Sequence, residues 1–417
     1  MTPDPATLAF VESPVQLLGV LEWAHAHRTR PGPAGTLLTG VPAQPGPADP
    51  RPNPRPNAHP ETRAESRVDR PGCAHAPAPP AGGESRLRIV VLPPTDPMSR
   101  GQLRRVAGLA RDEGHAVTWQ EARGGPGAPL KALAALLSDV RAAERLVIGD
   151  PFSRFTQLLL AAARTPDLVV VDDGTATLEF AARLAAGERL RRWHRTPAAG
   201  ALGRVRELAH APVAARALRR LTPSPAPGLP GRRSLELFTS MPVEPLPGAR
   251  LTLNDFAWTR SRFGPPRLTR GTDLVGTSLV ETGVLEPTHY LAAVARLAAD
   301  HGAGRYFAHR RESPEKLRAV AEATGLQIVR PDLPLELIAR RGPIGRTVVS
   351  FPSTVVHTLP YALAGTGVTV KVCEIDPDWL TRTASPRARG FLDDVSAGAR
   401  ATHGLAATGA AGAPGAG

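Results

Sequence analysis

The feature that most constrains this chain is a repeated alternation of short Val, Ile and Leu runs with amphipathic segments of ten residues or more. Candidate strands at 8–11, 87–92, 116–119, 146–148 and 168–171 alternate with helical patterns at 15–27, 102–111, 130–140, 155–163 and 177–186. Apolar runs of this length, each followed by a helix, pack as a parallel sheet covered by helices on both faces. Residues 189–233 read as arginine-rich helix and loop. After a run at 235–238 the chain begins a second series, with strands at 274–276, 305–308, 326–329, 346–350 and 368–372 and helices at 290–299, 315–323, 335–340 and 355–363. The expected fold is therefore α/β: two Rossmann-like parallel-sheet domains, over 1–235 and 236–385, facing a central cleft. Residues 386–417 fade into Ala and Gly and are expected to be a disordered tail.

The length of 417 residues suits two domains. The 40 glycines and 45 prolines are not spread evenly: 14 of the prolines fall in 30–86, a stretch without apolar periodicity, which reads as a disordered insertion in the first domain. It follows a helix and precedes a strand, so it is expected at the rim away from the strand ends. The formal charge of +13 invites a nucleic-acid partner, but 48 of the 51 basic residues are arginine, a bias that a GC-rich genome writes. Aromatics make up only 4% and no basic recognition motif is present, so no nucleic-acid partner is expected.

Two cysteines, Cys73 and Cys373, form neither a disulfide framework nor a metal-ligand spacing, and a reducing cytoplasm is the expected compartment. The apolar segment 7–23 follows Asp4 without a basic region and is broken by Glu12 and Pro14, unlike a signal peptide. No segment reaches the ~20 uninterrupted apolar residues of a membrane span.

Ligands of open parallel sheets bind outside the carboxyl ends of the strands. The polar residues there are Glu12 and Ser13, Asp150, Asp172-Asp173-Gly174, Thr277 and Ser278, His309-Arg310-Arg311-Glu312, and Ser353-Thr354. Two adjacent carboxylates after the apolar run 169–171 repel each other, so one can become a base, while Gly174 permits a tight turn and close approach of a substrate. Strand alternation points the pair to opposite sides, so one faces the cleft; the same triplet also serves as a helix cap. His309 with its two arginines is a natural phosphate clamp or, equally, a surface ion-pair cluster. Ser353 and Thr354 open a helix, where hydroxyls and free N–H groups bind phosphate or simply cap. No complete GxGxxG, Walker, HExxH or GxSxG motif appears. The stretch 189–220 carries nine arginines against Glu207 alone, suited to a polyanion, to an anionic membrane surface, or to no partner at all.

Taken in order, five segments resemble the bacterial sialyltransferases, most closely the capsular α-2,8-polysialyltransferase family: residues 10–18 (FVESPVQLL), 171–174 (VDDG), 275–281 (VGTSLVE) with Glu281, 309–312 (HRRE), and Ser353-Thr354. The family's usual His-Pro dipeptide is His309-Arg310 here. The resemblance implies a GT-B fold and an inverting glycosyltransferase without a catalytic metal or cofactor. It also implies a CMP-activated sialic acid or related nonulosonic acid as donor, and an anionic cell-surface glycan or lipid-linked acceptor. By the same resemblance Asp172 or Asp173 is the base, His309 contacts the donor phosphate and helps it leave, and Ser353 and Thr354 hold that phosphate. The remaining strand-end residues Glu12, Ser13, Gly174, Thr277, Ser278, Glu281, Arg310, Arg311 and Glu312 become candidates for substrate binding. The alternatives are a GT-B enzyme for another nucleotide sugar and a non-catalytic relative that binds anionic glycan. Either enzyme is expected in the cytoplasm, with 189–220 resting on the inner face of the membrane.

Overall fold

The computed structural model describes residues 7–29, 87–125, 127–192, 201–223 and 233–408. The expected insertion at 30–86, residues 193–200 of the arginine-rich stretch and the end of the tail, 409–417, lie outside the described residues.

The first domain winds as β1 (Thr7–Val11), α1 (Pro14–Thr29), β2 (Leu87–Val91), α2 (Pro97–Asp112), β3 (Ala116–Trp119), α3 (Ala128–Ala142), β4 (Arg145–Ile148), α4 (Arg154–Ala162), β5 (Asp167–Val171), α5 (Ala176–Ala185) and α6 (Ala201–Leu221), then β6 (Ser234–Thr239) and β7 (Ala249–Leu253). Its seven strands lie in the order β3-β2-β1-β4-β5-β6-β7, all parallel. Alternate residues of each strand enter opposite apolar layers: Phe10, Val90 and Val170 on one face, Val11, Val91 and Val171 on the other. Burial on both faces is why these strands are near-continuous Val, Ile and Leu.

A short α7 (Ala257–Phe263) leads into β8 (Leu268–Val275), α8 (Pro287–His301), β9 (Ala303–Phe307), α9 (Pro314–Thr324), β10 (Gln327–Val329), α10 (Leu335–Arg341), β11 (Ile344–Ser350), α11 (Val355–Ala362), β12 (Thr369–Cys373), α12 (Pro386–His403) and β13 (Ala406–Thr408). The second sheet runs β10-β9-β8-β11-β12-β13, again all parallel. Two doubly wound parallel sheets across a cleft are the GT-B arrangement. In each sheet the strand order reverses once, between β1 and β4 and between β8 and β11, and a crevice opens at such a switch point.

Two expectations need correction. The first sheet does not end at 235: β6 pairs with β5, Leu235 against Leu168, and β7 adds an edge beyond it. An apolar run shows that a strand exists but not which sheet it joins. The tail from 386 is not disordered over its first half. There α12 starts at Ser385, whose side chain accepts from Ala388 N at 3.2 Å with Pro386 in the first turn, and stops at Gly404 in the left-handed region. Leu392, Val395 and Ala399, spaced three and four residues apart, are buried along one stripe.

The domains share a core. Leu333, Leu337 and Ala362 of the second domain pack into the apolar layer that holds Leu17, Leu21 and Val171 of the first. Beside it, the buried Glu22 carboxylate accepts from Trp258 N (2.8 Å), Thr259 N (3.0 Å) and Thr259 Oγ1 (2.6 Å), fastening α1 to the start of α7. A further contact joins the domains where Gln102 Nε2 of α2 donates to Pro331 O at 2.8 Å.

Candidate active site

The loops after β1 and β5 meet those after β9 and β11 around a pocket of about 210 Å³. Ser13, Asp173 and Gly174 line it from the first domain; His309, Arg310, Ser353 and Thr354 line it from the second. Residues 180 positions apart in the sequence therefore face one another.

The two aspartates part company here. Asp172 turns inward, 3% exposed, and its carboxylate accepts from Ser240 N (2.7 Å), Ser240 Oγ (2.9 Å), Thr177 Oγ1 (3.4 Å) and Thr239 Oγ1. Those donors saturate it, so it acts as a buried strut between β5 and β6. Asp173 borders the pocket instead and accepts from Gln16 Nε2 (2.9 Å) and Arg192 Nη2 (2.5 Å). Arg192 is shared: its guanidinium also lies 3.1 Å from Asp150. Burial, then the charge of Asp150, push the Asp173 carboxyl up to about 6, with Arg192 and the Gln16 hydrogen bond pulling against them. A carboxylate so poised is ionised at neutral pH yet basic enough to take a proton.

Gly174 ties the two halves together. Its φ is +66°, and a Cβ there would overlap Thr354 Oγ1, with Thr354 Cγ2 at 3.1 Å. The next residue donates its backbone N–H to that hydroxyl, Thr175 N to Thr354 Oγ1 at 3.2 Å. The turn after β5 thus rests directly on the start of α11, which only a residue without a side chain permits.

The His309 loop is built around Glu312. This carboxylate, 3% exposed, accepts from His309 N (2.9 Å), Thr277 N (3.2 Å) and Tyr306 OH (2.6 Å) and pairs with Lys316 Nζ (2.9 Å). It holds the ends of β8 and β9 in register, and Gly276 is required there: a Cβ would lie 2.6 Å from both Glu312 oxygens. His309 Nδ1 accepts from Arg311 N at 3.2 Å, which assigns the ring proton to Nε2. Burial, with Arg310, Arg311 and Lys316 nearby, pushes the imidazole down to about 4. It is a neutral hydrogen-bond donor at physiological pH.

Several residues expected at the site lie behind the pocket lining. Glu12 is buried, pairs with Arg123 and accepts from Thr156 Oγ1 (3.3 Å); burial raises it to about 6. Thr277 and Glu281 hold Lys316, which donates to Thr277 O (2.6 Å) and Glu281 (3.3 Å), while Ser278 and the exposed Arg311 do not line the pocket. Sequence reasoning missed Gln16 and Arg192 as partners of Asp173. Gln16 sits inside the first motif, in the first turn of α1, where its Oε1 accepts from Glu12 N at 2.7 Å. Arg192 had no signal, because its partner is 19 residues away, on the far side of α5 in the sequence. Among the described residues no group of three His, Cys, Asp or Glu side chains is arranged to hold a metal ion.

The sequence matches no protein-family model and no curated protein. Among solved structures the chain is similar to an α/β-galactoside α-2,3-sialyltransferase from Photobacterium phosphoreum, at 8% identity over 97% of this chain and 98% of that one, TM-score 0.45. It is also similar to Acinetobacter baumannii MurG, at 9% identity over 97% and 86%, TM-score 0.38. The third is the Escherichia coli heptosyltransferase WaaC, at 11% identity over 89% and 90%, TM-score 0.36.

Proposed function

We propose that this chain is an inverting, metal-independent glycosyltransferase that moves sialic acid or a related nonulosonic acid from a CMP-activated donor to a cell-surface glycan or lipid-linked acceptor. The observation that carries the reading is the pocket with Asp173 on one wall and His309, Arg310, Ser353 and Thr354 on the other. In this reading an acceptor hydroxyl attacks the anomeric carbon and forms the new C–O bond. Its proton passes to the Asp173 carboxylate. The C–O bond to the phosphate breaks, and CMP leaves with the electron pair and one further negative charge. His309 meets that charge with its neutral N–H, Arg310 with its guanidinium, and Ser353 and Thr354 with hydroxyl and backbone donors at the start of α11.

The choice of CMP comes from the five ordered motifs. Calorimetry with CMP, UDP and GDP tests it: CMP alone binding supports it, and equal or tighter UDP or GDP binding sinks it in favour of another nucleotide sugar. Slow hydrolysis of CMP-sialic acid without acceptor tests the chemistry, and Asp173→Asn is expected to abolish transfer while CMP still binds. A protein that binds CMP but never turns its sugar over is the non-catalytic relative.

No helix of the described residues is long and apolar enough to cross a membrane. The surface proposed to rest on an anionic membrane is α6, which exposes Val205 (61%) and Leu208 (73%) beside Arg204.

A further inference from the structure

Asp173 borders a second space besides the pocket facing His309. A groove of about 650 Å³ runs from it between α5 and α12. If Asp173 is the base, the hydroxyl it deprotonates must reach it from one of these two spaces. The donor's phosphate clamp occupies the first, so the acceptor enters through the groove.

The groove's chemistry then says what can enter. Among the described lining residues, the acids Asp173, Glu179, Glu188 and Asp394 face the bases Arg183 and Arg192. Neither arginine is available to a ligand: Arg183 pairs with Glu179 (2.9 Å) and Glu188 (3.0 Å), and Arg192 with Asp173 and Asp150. A carboxylate sugar in this groove would face surplus negative charge and find no free guanidinium among the described lining residues. Uncharged hydroxyls suit it, since carboxylates are acceptors only and sugar hydroxyls donate. Leu178 and Phe391 add an apolar wall for the C–H face of a sugar ring. Arginines gather instead in a separate recess of about 200 Å³ that Asp173 does not line, where, among the described residues, Arg154, Arg189, Arg191 and Arg192 surround a single acid, Glu207, paired with Arg154 (3.9 Å) and Arg191 (3.5 Å).

We propose that the groove between α5 and α12 is the acceptor site and that the sugar seated beside Asp173 is uncharged. The proposal rests on the glycosyltransferase reading and replaces the anionic acceptor expected from the resemblance with a neutral one at the reacting end.

The test is an NMR titration of the full chain, with CMP present, using lactose and lactose bearing one terminal sialic acid. Lactose is expected to bind at least about tenfold tighter than its sialylated form. Ala182→Trp, at an exposed α5 position lining the groove, is expected to weaken lactose by about tenfold or more. Ala186→Trp, likewise exposed and lining the groove, serves if the first variant melts early. Asp394→Arg is expected to narrow the preference by about threefold or more. Equal or tighter binding of the sialylated sugar, no effect of the tryptophan, or no lactose binding up to about 10 mM overturns the proposal. A CMP titration of the same protein keeps the two ideas apart. CMP binding without lactose binding removes the groove and leaves the donor reading standing; lactose binding without CMP binding does the reverse.

Discussion

Arg192 holds the Asp173 carboxyl down against burial and the charge of Asp150, so removing it should move the acid limb of the pH–rate profile upward. The guanidinium lies 2.5 Å from one Asp173 oxygen and 3.1 Å from Asp150, and its side chain is 24% exposed. Two unit charges about 4 Å apart at an effective dielectric near 20 attract by ~4 kcal/mol. Partial exposure and salt cut that figure, and a conservative expectation is one pKa unit, ~1.4 kcal/mol. In the native protein the carboxyl stands at about 6, so kcat/KM for transfer should rise through that pH as the base ionises. In Arg192→Ala the rise should move to about 7 or above, costing about fivefold at pH 6 and little at pH 8.5. Asp150→Asn should move the limb the other way, because Asp150 raises the same group. The assay is transfer from CMP-sialic acid measured across that pH range for the three proteins. An unmoved limb in both variants, with transfer retained, would refute Asp173 as the base. A loss in Arg192→Ala equal at every pH would instead make Arg192 a purely structural residue.

Other contacts of the site, and the exposed face of α6, carry further expected outcomes. Asp172→Asn should lower stability by about 2 kcal/mol, because its amide would face donors that now meet a carboxylate, whereas Asp173→Asn should lose transfer with the fold intact; thermal melts and activity separate the two. The sign of the Asp173 shift adds a second readout. A carboxyl raised above its ordinary 3.8 favours folding below that pH and loses this contribution as pH rises through about 6. Asp173→Asn should therefore flatten the decline of Tm over that window. Gly174→Ala should cost about 2 kcal/mol or more from positive φ and from overlap with Thr354, and Thr354→Ser beside it should recover part of the loss in a double-mutant cycle. Glu312→Ala should cost about 3 kcal/mol by removing the acceptor of two backbone N–H groups and the nearer of the two carboxylates beside Lys316, and should weaken CMP binding as the His309 loop loosens. Vesicles rich in anionic lipid should pull down the protein, and Val205→Glu with Leu208→Glu should abolish this; binding unaffected by the pair would remove α6 as the contact.

Most of the fold was legible because burial on both faces writes itself into a parallel strand. The runs at 168–171 and 346–350 could hardly be anything else, and every expected strand of both series is present. What escaped is what lacks that signature. β7 (Ala249–Leu253) is an edge strand with Leu251 and Leu253 exposed, so it has no buried face to read. α12 was hidden by its alanines and glycines, although Ser385-Pro386 and Gly404 marked both of its ends. The site divided in the same way. The strand ends carrying Asp173, His309 and Ser353 were visible, but Glu312 and Glu281 looked as available to a ligand as Arg310 did.

The sequence by itself determined two doubly wound parallel sheets and the polar residues at their carboxyl ends, since strand and helix periods are local properties of the chain. Only the tertiary structure decided which of those residues meets the cleft. Asp172 was claimed by Thr239 and Ser240 from the neighbouring strand end, leaving Asp173 to Gln16, Arg192 and the pocket. The same holds for the groove where α12 returns beside α5: it joins residues more than 200 positions apart. Such pairings depend on which strand lies beside which and on what each carboxylate finds within hydrogen-bond reach, and no local pattern records either.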